Sequence, residues 1–175
     1  VEFLPPRLLQ DDDNSESFSC GNESLDVWLK QFAYGDQQKG HARIFASFYQ
    51  NEPKIAGYFA LTCAHIPIND NKRGDIFNPP YILPCAYLAR LAVDKDVQKQ
   101  GLGAYLLVSA MERALRAAEN IGLSLFIAEP LEAAERFYGK YDFEVKILNS
   151  GNKIFYRRLK DIRESLGAAE IFGKG

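Results

Sequence analysis

Apolar and polar positions along the chain follow two periods, and the switches between them mark out the elements. "HARIFASFYQ" and "KIAGYFALTCAHI" are strand-like runs, and Asn51, Glu52 and Pro53 between them predict a turn. "CAYLARLAV" is a third run, with Arg90 embedded in it, and "LSLFIA" is a short fourth. "YDFEVKIL" and "NKIFYRRL" predict a hairpin around Ser150, Gly151 and Asn152. Near the start, Leu4, Leu8 and Leu9 suggest a strand that Pro5 and Pro6 interrupt, which suits the edge of a sheet.

Helical spacing replaces this pattern in three places. Leu25, Trp28, Leu29 and Phe32 recur on one face behind Asn22, a residue suited to the N-cap, and Glu23. Leu106, Leu107, Ala110, Met111, Ala114 and Leu115 form the apolar face of a longer helix, with Glu112, Arg113, Arg116 and Glu119 mainly off it. Pro130 suits the first position of a third helix, with Glu132 near its positive end. "QDDDNSESFSCGN" and "NDNKRGDIFNPPY" read as loops.

The resulting order is β, α, β, β, β, α, β, α, β, β. Strand-helix-strand crossovers demand parallel pairing, so an α/β fold with a mixed sheet flanked by helices is expected. No repeat, low-complexity tract or composition break divides the chain, and residues 1–175 read as one domain. The stretch from "CAYLARLAV" to "LSLFIA" is one strand-helix-strand unit. Its loop follows the carboxyl end of a strand, where open α/β sheets bind ligands.

Composition narrows the classes. The chain is 47% hydrophobic and 25% charged, as globular domains are, and no apolar run is long enough to cross a bilayer. Cys20, Cys63 and Cys85 are widely spaced and have only His41 and His65 beside them, so no metal site is expected. Reduced thiols in a cytoplasmic protein are the simpler expectation. The net charge of −2 hides an asymmetry. Asp11, Asp12, Asp13, Glu16, Glu23 and Asp26 crowd residues 11–26, whereas Lys146, Lys153, Arg157, Arg158, Lys160 and Arg163 dominate 146–163.

The candidate chemistry lies in "LAVDKDVQKQGLGAYLL", residues 91–107. A helix N-terminus offers unpaired N–H groups and a positive dipole end, and glycine lets the backbone approach an anion closely. No Lys-Ser/Thr pair follows Gly101 or Gly103, which excludes a Walker loop. Leu106 stands where the third glycine of a dinucleotide fingerprint belongs, which excludes that motif too. What is left is Gln98-Lys99-Gln100-Gly101-Leu102-Gly103-Ala104, a Q-x-x-G-x-G turn. On spacing alone it is either a phosphate cradle or a tight strand-to-helix connection.

"LARLAVDKDVQKQGLGAYLL" resembles the acyl-coenzyme A loop of the GNAT superfamily of N-acetyltransferases, whose signature is Q/R-x-x-G-x-G/A. "FSCGNESLDVWLKQFAYGDQQKGHARIF", "IAGYFALT", "LARLAVDK" and "AAERFYGKYDFEV", in that order, are similar to the GNAT-type toxins of bacterial toxin–antitoxin pairs. The resemblance implies a central, mostly antiparallel, twisted sheet of six to seven strands, split between the fourth and fifth. It implies that the backbone from Gln98 through Lys99, Gln100, Gly101, Leu102 and Gly103 to Ala104 holds the coenzyme pyrophosphate. Leu91, Ala92 and Val93 would pair with the pantetheine amides by strand addition. In the family's "FY" pair, matched by Phe137 and Tyr138, the tyrosine protonates or orients the departing sulfur. Without the resemblance, Tyr138 reads as a packed helix residue.

The implied reaction is acetyl transfer from acetyl-CoA to a primary amine: that of aminoacyl-tRNA if the toxin resemblance carries over, or otherwise a small-molecule or protein amine. A small DNA-binding antitoxin and a homodimer are the partners the resemblance implies, with no membrane. Glu129, His65 and water are the candidates for a general base. Arg90 either faces an anionic substrate or coenzyme, or pairs with the acidic loops. Lys30, Lys39, His41, Arg43 and the basic C-terminal segment are the cations available for a local tRNA path. Asp142 departs from the family's "GF", and aspartate tolerates the left-handed conformation such a turn requires.

Overall fold

A computed structural model describes residues 2–68, 81–148 and 150–172. The loop expected at 69–81 falls outside these except for Tyr81, which opens a strand. The chain divides into two compact units, residues 1–62 with 88–112, and residues 63–87 with 113–175. The strands, in chain order β1 to β7, follow the sheet order β1-β2-β3-β4-β5-β7-β6. The sheet is mostly antiparallel, with a parallel pair β4-β5, as expected for an α/β fold of this kind.

The first unit begins with β1 (Arg7–Leu8), an edge strand as the prolines predict. Asn22 caps α1 (Glu23–Gln31), accepting from the Leu25 N–H at 3.2 Å, and α2 (Ala33–Gln38) follows at once. Phe32 breaks the two helices apart, with φ −122° and ψ −30°. Gln37 is buried and fully used: its amide donates to the Leu9 carbonyl at 2.8 Å and accepts from the Ile44 N–H at 3.0 Å. β2 (Arg43–Phe48) pairs antiparallel with β3 (Ile55–Ile68), setting Phe45 against Phe59. Phe18, Trp28, Leu29, Ile44, Tyr58 and Ala92 make the core. Tyr58 stacks on Trp28 at 5.9 Å and donates to the Leu25 carbonyl at 2.9 Å.

β4 (Tyr81–Val93) and α3 (Leu102–Ala117) run from one unit into the other. β4 begins four residues before the expected "CAYLARLAV". Around Gly57 the first unit is tight. A Cβ there would lie 2.8 Å from Leu106 Cδ1 and 3.0 Å from the Ala92 carbonyl oxygen. Glycine thus lets the start of α3 lie directly on β3 and β4.

The second unit holds β5 (Leu125–Ala128), α4 (Glu135–Gly139), β6 (Glu144–Ile147), β7 (Lys153–Arg158) and α5 (Leu159–Phe172). β5 starts beside β4, where the Ser124 N–H donates to the Pro84 carbonyl at 2.8 Å. The predicted hairpin forms, with Val145 opposite Phe155 and Ile147 opposite Lys153. Two expectations need correction. Pro130 does not open a helix: a 3-10 turn at Glu132–Ala134 comes first, and α4 starts only at Glu135. The chain also continues past the hairpin into α5, whose Leu159 and Ile162 are buried. The basic stretch 146–163 is therefore shared among β6, β7 and α5.

Candidate active site

The glycine turn has the geometry of an anion cradle. β4 ends at Val93, a 3-10 turn covers Lys95–Val97, and α3 begins directly after Gly101. Lys99 and Gly101 take positive φ, 62° and 88°. A Cβ on Gly101 would meet nothing within 4 Å, so glycine serves the backbone conformation here and not close packing. The Gly101 carbonyl accepts from the Tyr105 N–H at 3.1 Å, the first bond of α3. The N–H groups of Leu102, Gly103 and Ala104 thus belong to the turn that lacks intrahelical acceptors. No acidic residue stands in that first turn, which keeps the positive dipole end uncompensated.

The edge of β4 is equally defined. The Asp94 N–H donates to the Ala56 carbonyl at 2.8 Å, and the Ala92 carbonyl faces Gly57, so both residues turn their polar groups toward β3. By alternation, the backbone groups of Leu91 and Val93 point to the opposite edge. Ala92 therefore contributes packing, with its side chain in the core, and not edge hydrogen bonds. Leu91 and Val93 are the two of the three expected pantetheine partners whose backbone groups turn away from β3. The Gln98 side chain reaches back from the loop, donating to the Cys20 carbonyl at 2.8 Å and the Val93 carbonyl at 3.1 Å.

Tyr138 lies in the second unit, on the short helix α4, and is 5% exposed. Its ring packs edge-on against Phe137 at 5.2 Å and Phe143 at 5.4 Å, with Phe155 at 6.1 Å. Burial raises the phenol above the usual tyrosine value, and the neighbouring Tyr87 adds to the rise. The phenol therefore stays protonated further into the alkaline range than a free tyrosine. Phe137, half-buried, packs on Tyr141 at 5.1 Å. Asp142 in the following turn has φ 58°, the left-handed conformation its position requires.

The remaining candidates separate clearly. Glu129 and His65 are exposed. Arg90 is in none of the ion pairs among the described residues, and its guanidinium lies 4.0 Å over the Trp28 ring as a cation–π pair. Burial raises the Cys20 and Cys85 thiols to about 11, which suits packed residues and not nucleophiles. Among the described residues no cluster could hold a metal ion, and no helix is long and apolar enough to cross a membrane. A cavity of about 380 Å³ beside β1, lined by Arg7, Asp12, Asp13, Phe48, Tyr49 and Glu52, contains none of the residues above.

Sequence reasoning missed Asp94. It is 1% exposed and accepts from the Asp96 N–H at 3.1 Å and the Ser19 N–H at 3.3 Å, with Lys54 Nζ at 3.4 Å. Its signal was an aspartate directly before a short turn, at a capping position.

A strand running into a glycine-hinged helix N-terminus, in a seven-stranded sheet of this order, is the arrangement of an acetyltransferase fold. The family model of the GNAT acetyltransferase domain matches residues 42–145. The chain is 35% identical over 144 residues to the tRNA-acetylating toxin of Mycobacterium tuberculosis (strain ATCC 25618 / H37Rv), covering 82% of this chain and 86% of that one. Its fold matches the crystal structure of AtaTR bound with acetyl-CoA, with a TM-score of 0.82, 25% identity and coverage of 94% and 98% of the two chains. It also matches the AtaT–AtaR complex bound to DNA, with a TM-score of 0.73, 26% identity and coverage of 93% and 99%. The chain belongs to the GNAT acetyltransferase family. It is an acetyltransferase with acetyl-CoA as cosubstrate.

Proposed function

We propose that this protein transfers the acetyl group of acetyl-CoA to the amino group of an aminoacyl-tRNA, and so blocks translation as the toxin of a toxin–antitoxin pair. The observation that carries the reading is the intact acyl-coenzyme loop in a chain 35% identical to a tRNA-acetylating toxin across 82% of its length. The backbone from Gln98 to Ala104 receives the pyrophosphate, with the N–H groups at the start of α3 as donors. The Leu91 and Val93 edge receives the pantetheine amides.

When bound, acetyl-CoA supplies an acyl carbon activated as a thioester. The amine forms a new N–C bond to that carbon, the C–S bond breaks, and the amine gives up one proton to water. Tyr138 donates a hydrogen bond to the departing sulfur, or gives it a proton and regains one from water. Loop and strand contribute by fixing the approach of the amine to the carbonyl.

A second reading, acetylation of a small-molecule or protein amine, is favoured by the net charge of −2, since tRNA binding rewards positive charge. The two separate when the protein is given each acceptor with labelled acetyl-CoA. The partners follow the toxin reading: a DNA-binding antitoxin, as the complex of AtaT with AtaR on DNA suggests, together with a homodimer and a cytoplasmic setting. Co-expression with the product of the adjacent gene, followed by a DNA-binding assay, tests the antitoxin.

A further inference from the structure

Ser19 and Cys20 lie between the glycine loop and α1, and every backbone polar group of the pair is taken. The Ser19 N–H donates to Asp94 Oδ2 at 3.3 Å, and the Ser19 carbonyl accepts from the Lys95 N–H at 2.8 Å. The Cys20 carbonyl accepts from Gln98 Nε2 at 2.8 Å. On the other side, Asp26 of α1 accepts from the Cys20 N–H at 2.8 Å and from Ser19 Oγ at 3.2 Å. Three of the four backbone bonds go to the loop, and the fourth anchors the pair to α1.

This attachment matters because the loop holds Lys99, which is not a glycine, in the left-handed region at φ 62°. Such a conformation persists only where the surroundings fix it. A loop fixed in advance costs less to order on binding. Gln98 does a second thing. Its other contact is to the Val93 carbonyl at the end of β4.

We propose that Ser19–Cys20 is a positioning strap for the acyl-coenzyme loop, and that Gln98 and Asp26 are positioning residues that tune coenzyme affinity through it. The proposal rests on the acetyl-CoA reading of the loop. Asp26 is the sharper half, because it bonds only to the strap and α1 and not to the loop.

The test is calorimetric titration of the whole protein with acetyl-CoA, with thermal denaturation of each variant alongside. Gln98→Leu removes two donated hydrogen bonds of ordinary net worth and should raise the acetyl-CoA Kd about tenfold. Asp26→Ala should raise it several-fold. Gln98→Arg keeps donors within reach of both carbonyls, and Asp26→Asn keeps an acceptor, so both should stay within about threefold of the parent. An unchanged Kd in Gln98→Leu, or equal losses in Gln98→Leu and Gln98→Arg, would overturn the strap. Gln98 is exposed, so its variants decide between these outcomes even where Asp26→Ala unfolds. A parent protein that binds no acetyl-CoA would instead overturn the functional reading beneath it.

Discussion

The ring of Tyr138 meets that of Phe143 edge-on at 5.4 Å, and with Phe137 and Phe155 it is enclosed so that 5% of the residue is exposed. The two residues flank the turn at Asp142, whose left-handed φ of 58° returns the chain from α4 toward β6. The turn fixes the phenol's place, and the aromatic packing fixes its orientation. Replacing Tyr138 with Phe keeps the packing and removes only the hydroxyl. The expected result is a fall of about 10²-fold or more in the transfer rate with the acetyl-CoA Kd unchanged. A rate equal to the parent's would remove Tyr138 from the mechanism.

The pH profile follows from the same burial. A raised phenol pKa keeps Tyr138 protonated beyond the point, near pH 10, where a free tyrosine ionises. The rate should rise with pH as the acceptor amine loses its proton, near about 8 for an α-amino group. No fall due to Tyr138 should appear below about pH 10. An alkaline limb below that, absent from Tyr138→Phe, would contradict the raised phenol pKa and not the role of Tyr138.

Two glycines beside the loop should respond to alanine for different reasons. Gly101 has open space around it and a φ of 88°, so Gly101→Ala costs backbone strain alone, about 1–2 kcal/mol, and weakens acetyl-CoA binding. Gly57 has no such φ, yet a Cβ would press on Leu106 at 2.8 Å and on the Ala92 carbonyl at 3.0 Å. Gly57→Ala should destabilise the protein by about 1–3 kcal/mol through overpacking. Denaturant titration gives both costs. Neutral behaviour of either variant would show that its site is freer than the geometry says.

Asp94 should behave as a structural acid. Asp94→Ala removes the acceptor of the part-buried Ser19 and Asp96 N–H groups and strips Lys54 of one of its two carboxylates, Asp96 being the other. A loss of about 2–3 kcal/mol is expected in thermal or denaturant unfolding. A loss below about 0.5 kcal/mol would mean that water replaces the carboxylate at no cost.

The sheet, the long helix and the hairpin were legible in the sequence because their apolar periods are long and bounded by turn residues. Pro5 and Pro6 announced an edge, and Asn22 announced a cap. The glycine loop was legible as chemistry because its competitors each lack a residue: a Lys-Ser/Thr pair in one case and a glycine at Leu106 in the other. What was hidden is tertiary. Arg90 looked like a charge in search of an anion, and only the folding of α1 onto β4 reveals Trp28 beneath it at 4.0 Å. That Ala92 turns its polar groups away from the far edge of β4 depends on which side β3 lies. The register that settles this is not a local property of "LAV". α5 was missed because the hairpin read as a natural end, although Leu159 and Ile162 already carried helical spacing.

Acetyl transfer to aminoacyl-tRNA is tested at its root by incubating the protein with a set of charged tRNAs and labelled acetyl-CoA, with free amino acids and protein amines as parallel acceptors. Label should enter the amino group of at least one aminoacyl-tRNA, depend on Tyr138, and be absent from the uncharged tRNAs. No label in any aminoacyl-tRNA, with label in a small-molecule or protein amine, would refute the tRNA acceptor.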